Sequence, residues 1–308
     1  MNVEKRTNYI NHLYASIHTL SGIYEEPLNL SQAESIPLIR QANHKKVRNE
    51  ERKVTYLMIN PNRTQTDYGM VTSYSTFKGL MKSVFSAMNA DMEKYHVRRA
   101  DMSLNSDDPD DYELYKKLNR ALICCVANEY KVVNSYATQD LWTFDSLNMA
   151  IKNDDFEMEN YNKELESHGT VPTKSRLELR SKGIKDGKTL KHELMDKWFI
   201  RLDKASQSFK GVQSRYNDQL ERLYKEDLQK PNKQRTYMNL TSFLMQYREC
   251  IFTTAQMIDL LSRFDEVRTP EIRAKNFKQR HRIEYISQTD INVVIKAIKK
   301  CIRTYFKS

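Results

Sequence analysis

Glycine and proline are scarce in this sequence, which has seven of each among 308 residues. Because both residues interrupt regular structure, their scarcity favours long helices joined by short connections. The first residues, MNVEKRTNYINHLYASIHTL, contain no apolar run long enough for a signal peptide or a membrane span. We therefore expect a soluble protein of the cytoplasm that does not bind a membrane.

Two common functional motifs are also missing. The four cysteines are Cys124, Cys125, Cys250 and Cys301, and no CxxC or Cys/His spacing surrounds them, so a zinc site is not expected. No stretch matches GxxxxGK[ST], the loop that binds the phosphates of ATP in P-loop proteins, so an ATP-driven motor is not expected either.

The charge is unevenly distributed along the chain, whose net charge is +10. Residues 101–166 contain 15 acidic against 6 basic residues, whereas residues 268–308 contain 3 acidic against 11 basic residues. A basic end favours a polyanionic partner, usually nucleic acid, although a solvated helix surface would give the same count.

The order of the segments predicts the fold class. VTYLMIN (54–60) and HVRRADMSLN (96–105) have strand composition, and helical periodicity runs through 75–95 and 106–130. Further strands are predicted at 131–139 and 141–152, and the two arms of a hairpin at 156–166 and 175–183. Residues 1–50 show no clean period. The order predicts an α+β fold, with helices on one face of a largely antiparallel sheet and the other face open.

The sequence after Gly187 is helical in character, with apolar residues at helical spacing from 188 to the carboxyl terminus. A last amphipathic helix is predicted to be capped near Ser287. We therefore predict two domains, an α+β domain at residues 1–187 and an all-helical, basic domain at residues 188–308.

Polar and charged residues share one face on each of three predicted strands, and these faces would meet on the open side of the sheet. These residues are Asp101, Glu159, Tyr161, Lys163, Arg176, Glu178 and Arg180. One interpretation is a solvated surface of cross-strand ion pairs, each stabilising by about 0.2–1 kcal/mol.

The other interpretation of this face is a phosphoryl-transfer site. Two or three of the carboxylates of Asp101, Glu159 and Glu178 would hold Mg²⁺ or Mn²⁺, and the metal would polarise a scissile phosphate. The Tyr161 hydroxyl would attack phosphorus, while Lys163 or Arg180 would stabilise the charge that develops.

Three short motifs carry a resemblance to a known family. They are Arg99-Ala100-Asp101, Tyr161-Asn162-Lys163-Glu164 and Arg176-Leu177-Glu178-Leu179-Arg180. Their order and spacing resemble plasmid and phage replication initiators of the rolling-circle, trans-acting Rep type, over roughly residues 54–185. The resemblance implies a DNA-nicking domain with a carboxylate-bound divalent metal. In it, Asp101 and Glu178 match the acidic positions and Lys163 matches the basic one.

The sequence departs from this family at the nucleophile. Members usually have a nucleophilic tyrosine upstream of the Tyr-x-Lys motif, followed by a Gly-Ser pair, whereas this chain has Asn148 and Ala150 where tyrosine and glycine are expected. Either Tyr161 or Tyr136 would have to replace that tyrosine, or the chain has kept the fold and lost nicking. The His-hydrophobe-His metal motif of another class of nicking enzymes is absent, because none of the seven histidines has that spacing.

The segment TPEIRAKNFKQRHRIEY (269–285) places His281 and five basic residues on one predicted helix: Arg273, Lys275, Lys278, Arg280 and Arg282. With FTTAQMIDLLSRF (252–264) as the first helix, it would form a helix-turn-helix pair. Its arginines would read guanine in a major groove, its lysines would contact phosphates, and Asn276 and Gln279 would contact adenine. The alternative is a helical bundle that only supports the first domain.

Three functional hypotheses follow from the sequence. The leading one is a replication initiator of a plasmid or mobile element that binds double-stranded origin DNA and either nicks it or has lost that activity. A host helicase or polymerase and a second copy of the chain are further candidate partners. The alternatives are a non-enzymatic DNA-binding regulator of replication or transcription, and an interaction protein with no nucleic-acid role.

Overall fold

The computed structural model describes residues 12–48, 50–63, 70–106, 111–129, 148–152, 155–170 and 175–308. Within these ranges a seven-stranded sheet has the order β2-β3-β1-β4-β7-β6-β5, and all of its neighbouring strands are antiparallel. The strands are β1 (Leu13–Tyr24), β2 (Ile39–Lys46), β3 (Lys53–Ile59), β4 (Tyr95–Ser106), β5 (Asn148–Lys152), β6 (Phe156–Tyr161) and β7 (Ser175–Lys182).

The helices of the described residues fall mostly in the second half of the chain. They are α1 (Leu30–Glu34), α2 (Tyr74–Ala87), α3 (Asp111–Glu129), α4 (Lys163–Glu166), α5 (Lys197–Gln229), α6 (Leu240–Gln246), α7 (Thr254–Ser262), α8 (Pro270–His281) and α9 (Gln288–Lys307). None of the helices in this part of the chain is long and apolar enough to cross a membrane.

Strand alternation separates an apolar face of the sheet from a polar face. On β4 and β7, Met102 and Leu104 pair with Leu179 and Leu177, and all four are buried in the main core. Asp101 pairs with Arg180 on the other face, as the sequence pattern predicts. The predicted α+β class, with helices on one face of an antiparallel sheet, is confirmed.

The central strand β1 and the edge strand β2 were not predicted from the sequence. The register of β1 on β4 shifts between Ile17 and Thr19, and that of β2 on β3 shifts between Ile39 and Gln41. Each shift is a β-bulge, which inserts one extra residue and breaks the two-residue alternation. A search for alternating polar and apolar residues therefore cannot recognise these strands.

The predicted strand at 156–166 is shorter than expected, because β6 ends at Tyr161. The Asn162 side chain accepts a hydrogen bond from the backbone N–H of Leu165, and this cap begins the short helix α4. Lys163 therefore lies on a helix and not on the strand. Of the strands predicted at 131–139 and 141–152, only the last five residues, as β5, lie within the described ranges.

Two apolar clusters hold the chain together. The larger joins the sheet to α2, α3, the first half of α5 and α9, and it includes Trp198, Phe209 and Ile298. The smaller contains the second half of α5 and helices α6, α7 and α8. The domain boundary at residues 187 and 188 stays a prediction. Helices α5 and α9, which follow it in the chain, contribute residues to the larger cluster of the sheet.

Candidate functional site

A cleft of about 530 Å³ lies on the polar face of the sheet. Its volume is within the usual range of small-molecule and cofactor sites, roughly 300–1,000 Å³. Five of the residues singled out in the sequence line it: Asp101, Tyr161, Lys163, Glu178 and Arg180. Its remaining lining residues are His18, Thr19, Arg40, Met58, Asn60, Arg63, Arg99, Glu166 and Ser167.

Arg180 is the central cation of this face. Its guanidinium donates to Glu178 Oε2 from Nε at 2.9 Å and also contacts the carboxylates of Glu157 and Glu159. A fourth carboxylate, that of Asp101, lies 3.9 Å from Nε. Cross-strand pairing explains the cluster, because Arg180 of β7 lies opposite Asp101 of β4 on one side and opposite Glu157 of β6 on the other.

Asp101 is held by a second guanidinium. Arg99 Nε donates to Asp101 Oδ1 at 2.8 Å, and Arg99 Nη2 donates to Oδ2 at 2.7 Å, which is a bidentate pair. Burial raises the pKa of Asp101 above its ordinary value, and the hydrogen bonds from Arg99 oppose that shift. Burial likewise raises the pKa of Glu159, against the charge of Arg180.

Tyr161 and Glu178 are joined by a short hydrogen bond. The Tyr161 hydroxyl donates to Glu178 Oε1 at 2.6 Å. Burial raises the pKa of Tyr161, and the neighbouring Glu178 carboxylate raises it further. Burial alone would also raise the pKa of Glu178, but Arg180, His18, Arg176 and the tyrosine together lower it to about 2. The phenol is therefore protonated at neutral pH and its proton has an ionised acceptor.

The burial of these charges contradicts the interpretation as a solvated surface. Asp101 and Glu178 are each 2% exposed, and Arg176 is 1% exposed. Surface ion pairs stabilise little, whereas a buried charge that loses its partner is strongly destabilising. The sheet therefore holds a buried network of coupled charges at the floor of the cleft.

The predicted metal ligands are already occupied by internal cations. Asp101 is held by Arg99, and Glu159 and Glu178 are both held by Arg180. Among the described residues, no group of three His, Cys, Asp or Glu side chains is arranged to hold a metal ion. In this arrangement the donor set does not fit Mg²⁺ or Mn²⁺, which need several free carboxylate oxygens around one point. Metal binding stays a prediction.

Lys163 lies beside the tyrosine in the cleft. Its ammonium nitrogen is 5.8 Å from the centre of the Tyr161 ring and is paired with Glu166 of the same helix. Asn148, where the Rep-type resemblance leads us to expect a tyrosine, pairs with Tyr161 in the register of β5 on β6. Tyr136, the other candidate nucleophile, lies outside the described residues.

Sequence reasoning missed the residues that β1, β2 and the turn after β3 bring to the cleft, namely His18, Thr19, Arg40, Asn60 and Arg63. Burial lowers the pKa of His18 from 6.5 to about 4; Glu178 opposes that shift, and the charges of Arg176, Lys163 and Arg40 add to it. Because His18 is neutral above that pH, the guanidiniums and not the imidazole keep Glu178 ionised at neutral pH. In the sequence, the bulge of β1 is indicated only by the spacing of three residues between the apolar Ile17 and Leu20.

The predicted basic helix is present as α8. It begins with Pro270 in its first turn and buries Ala274 and Phe277 against the smaller cluster, which includes residues of α7. Four of the five predicted basic residues lie within it, while Arg282 follows the helix in a left-handed conformation with φ 49°. Within the described ranges, Arg273, Lys275, Arg280 and Arg282 form no ion pair, and Lys278 lies over the ring of Tyr285. Their charges are available to a ligand.

No family model matches the chain, and neither the curated proteins nor the solved structures contain a significant match to it.

Proposed function

We propose that this chain is a DNA replication initiator of a plasmid or mobile element, which binds origin DNA and cleaves one strand through Tyr161. One observation carries the proposal. The residues of three short motifs, far apart in the sequence, share one cleft, where a tyrosine hydroxyl lies 2.6 Å from a carboxylate oxygen and beside Lys163 and Arg180. A nucleophile, its proton acceptor and two cations are the parts that phosphoryl transfer requires.

The proposed step is a transesterification. The Tyr161 oxygen attacks the phosphorus of a DNA phosphodiester, a new P–O bond forms to the tyrosine, and the bond from phosphorus to the 3′-oxygen breaks. The phenolic proton passes to Glu178, which later returns it to solvent. The departing 3′-oxygen takes up a proton from solvent water, so the departing strand leaves with a 3′-hydroxyl. Lys163 supplies positive charge at the developing phosphorane, and Arg180 keeps Glu178 ionised.

A second candidate function is favoured by two observations. Tyr161 is only 5% exposed, and the position paired with it on β5 carries asparagine, which cannot form a phosphotyrosyl bond. A DNA-binding regulator of replication or transcription that kept the fold without strand cleavage would show both features.

The experiment that separates the candidates is relaxation of supercoiled DNA that carries the gene region of this protein. Wild type is compared with Tyr161→Phe, Glu178→Gln and the control Tyr56→Phe, in the presence and absence of Mn²⁺. Tyr56 lies on β3 and does not line the cleft. Relaxed circles from wild type and Tyr56→Phe, but not from the cleft variants, support the initiator. Intact DNA with salt-sensitive binding supports the regulator, and no salt-sensitive binding contradicts both.

A further inference from the structure

Two cations of the cleft are not part of the buried network. Arg40 is exposed on β2 and Arg63 is exposed in the turn after β3, and both line the cleft. In the part of the chain that the structure describes, neither contacts a carboxylate, whereas Arg99 and Arg180 each pair with at least one. Within the described residues, the charges of Arg40 and Arg63 are therefore not neutralised by a carboxylate.

β-Bulges place residues on the cleft side in two strands. The pairing passes from Ile39 with Ile59 to Gln41 with Met58, so Arg40 is the extra residue of β2. In β1 it passes from Ile17 with Met102 to Thr19 with Asp101, so His18 is the extra residue there. Bulges bend a strand and redirect side chains, and they are frequent beside active sites. Both bulged residues line the same cleft.

Arg63 is carried by a turn that is tied to the sheet. Asn62 Oδ1 accepts hydrogen bonds from Ser16 Oγ at 2.9 Å and from the backbone N–H of Val71 at 2.8 Å. The backbone N–H of Asn62 donates to Asn60 Oδ1 at 3.0 Å, and that of Arg63 donates to the Asn60 carbonyl at 3.1 Å. Asn60 and Asn62 are buried, so the backbone at Arg63 is held in place before a ligand binds. Binding therefore costs less conformational entropy at this residue.

These two arginines and Lys163 lie on opposite walls of one cleft. Between β2 and β6 there are five steps in the strand order, which in a flat sheet would be about 24 Å at ~4.8 Å a strand. Residues of both strands nevertheless line one cleft. The charges of Arg40 and Lys163 both act on the His18 imidazole, which lies between the two walls.

We propose that Arg40 and Arg63 form a phosphate-binding wall that holds the phosphodiester backbone of a nucleic-acid strand in the cleft, facing Tyr161 and Lys163. Arginine suits this role because its planar guanidinium donates two parallel hydrogen bonds to phosphate oxygens. The inference rests on the proposed function of the same cleft and adds two positioning residues that none of the three motifs contains.

The test measures binding of thymidine 3′,5′-bisphosphate to the full chain by calorimetry, with inorganic pyrophosphate as the comparison ligand. The variants are Arg40→Gln and Arg63→Gln. The control is Lys46→Gln, which removes an exposed charge at the far end of β2 and outside the cleft. We expect each arginine variant to weaken bisphosphate binding by about tenfold or more, the scale of one charge-assisted hydrogen bond, and the control to change nothing.

Unchanged binding in both arginine variants, an equal loss in Lys46→Gln, or no binding to wild type would overturn the inference. Pyrophosphate that binds as tightly as the bisphosphate would overturn its nucleic-acid part. The outcome is distinguishable from that of the proposed function. If both arginines are needed to bind the bisphosphate but the protein cleaves no DNA, the phosphate-binding wall is supported and only the proposed strand cleavage is overturned. If the protein cleaves DNA equally well in both arginine variants, strand cleavage is supported and the wall is overturned.

Discussion

Arg180 is the residue on which the polar face of the sheet depends. It contacts Glu157, Glu159 and Glu178 directly, and Lys182 is a second cation beside Glu157. Like charges this close destabilise one another unless a cation lies between them. The motif Arg176-Leu177-Glu178-Leu179-Arg180 is therefore a structural requirement of this sheet as well as a candidate catalytic element.

Replacing Arg180 with glutamine leaves a set of buried carboxylates without their common partner. We expect Arg180→Gln to lower the free energy of unfolding by about 3–5 kcal/mol, the usual cost of removing one member of a buried pair. The control is Arg222→Gln, whose ion pair with Glu226 is exposed and should contribute less than about 1 kcal/mol. Urea denaturation of the three proteins measures the difference. Equal losses in both variants would show that the network contributes nothing specific.

His18 provides a pH-dependent test of the same region. Its folded-state pKa is lowered from 6.5 to about 4 by burial, with Glu178 opposing and Arg176, Lys163 and Arg40 adding to the shift. Between those values the unfolded chain binds a proton that the folded chain does not. The stability that neutral His18 contributes is therefore present above pH 6.5 and is lost as the pH falls towards 4.

The measurement is the NMR titration of the His18 imidazole together with unfolding of His18→Gln at pH 7 and pH 5. We expect a titration midpoint well below 6.5 and a smaller loss of stability on acidification in the variant than in wild type. A midpoint near the ordinary histidine value, with parallel pH dependence of both proteins, would mean that the imidazole is not buried among these charges.

At the scale of the elements, the bulged strands explain which parts of the fold the sequence could predict. Regular alternation on β4, β6 and β7 is enough to place Asp101, Tyr161 and Glu178 on one face from the sequence alone. In β1, Ile17 and Leu20 are three apart and both buried, because His18 and Thr19 face the cleft together. Over this short length, the order of buried and cleft-facing residues has neither the helical nor the strand period. Periodicity therefore could not reveal the cleft residues that β1 and β2 supply.

Close strand packing at Gly22 gives a test of the β1–β4 pairing. A Cβ built at this glycine would lie 2.4 Å from the His96 carbonyl oxygen and 2.9 Å from the Tyr95 ring. Gly22→Ala should therefore lower the free energy of unfolding by about 1–3 kcal/mol or more, the cost of overpacking. The control is Gly79→Ala in α2, where nothing lies within 4 Å, and this variant should gain about 0.5–1 kcal/mol. Thermal unfolding of both variants would show opposite signs, and a tolerated Gly22→Ala would contradict the register of β1 on β4.

At the scale of the whole molecule, the carboxyl-terminal helices are not an independent appendage. α9 packs on β1, and the backbone N–H of Ser75 donates to the Ser308 carbonyl at 3.0 Å. The α7–α8 pair lies in the chain between α5 and α9, both of which contact the core of the sheet. The sequence could predict these helices from their periodicity and caps, including the capping box of Ser287 and Asp290. The sequence could not predict that α5 and α9 complete the larger apolar cluster. The surface against which a helix packs is not recorded in the local sequence of that helix.

The exposed basic side of α8 gives the test of DNA binding. Lys275→Gln with Lys278→Gln should weaken binding of duplex DNA and reduce the slope of log K against log[salt] by about 0.9 for each DNA phosphate that the variant no longer neutralises. The matched control is Lys188→Gln with Lys191→Gln, which removes the same charge from exposed positions before α5. Fluorescence anisotropy at several salt concentrations measures both quantities. Equal effects of the two double variants would mean that net charge, and not α8, determines binding.

The most direct measurement of the central claim is isolation of the covalent intermediate. The protein is incubated with a labelled single strand from its own gene region, the reaction is denatured, and the labelled peptide is identified by mass spectrometry. We predict a phosphodiester-linked adduct on Tyr161 in wild type and none in Tyr161→Phe. An adduct on Tyr136, or on any other residue, would contradict the assignment of the nucleophile, and the absence of any adduct from DNA that is bound in a salt-sensitive manner would contradict strand cleavage itself.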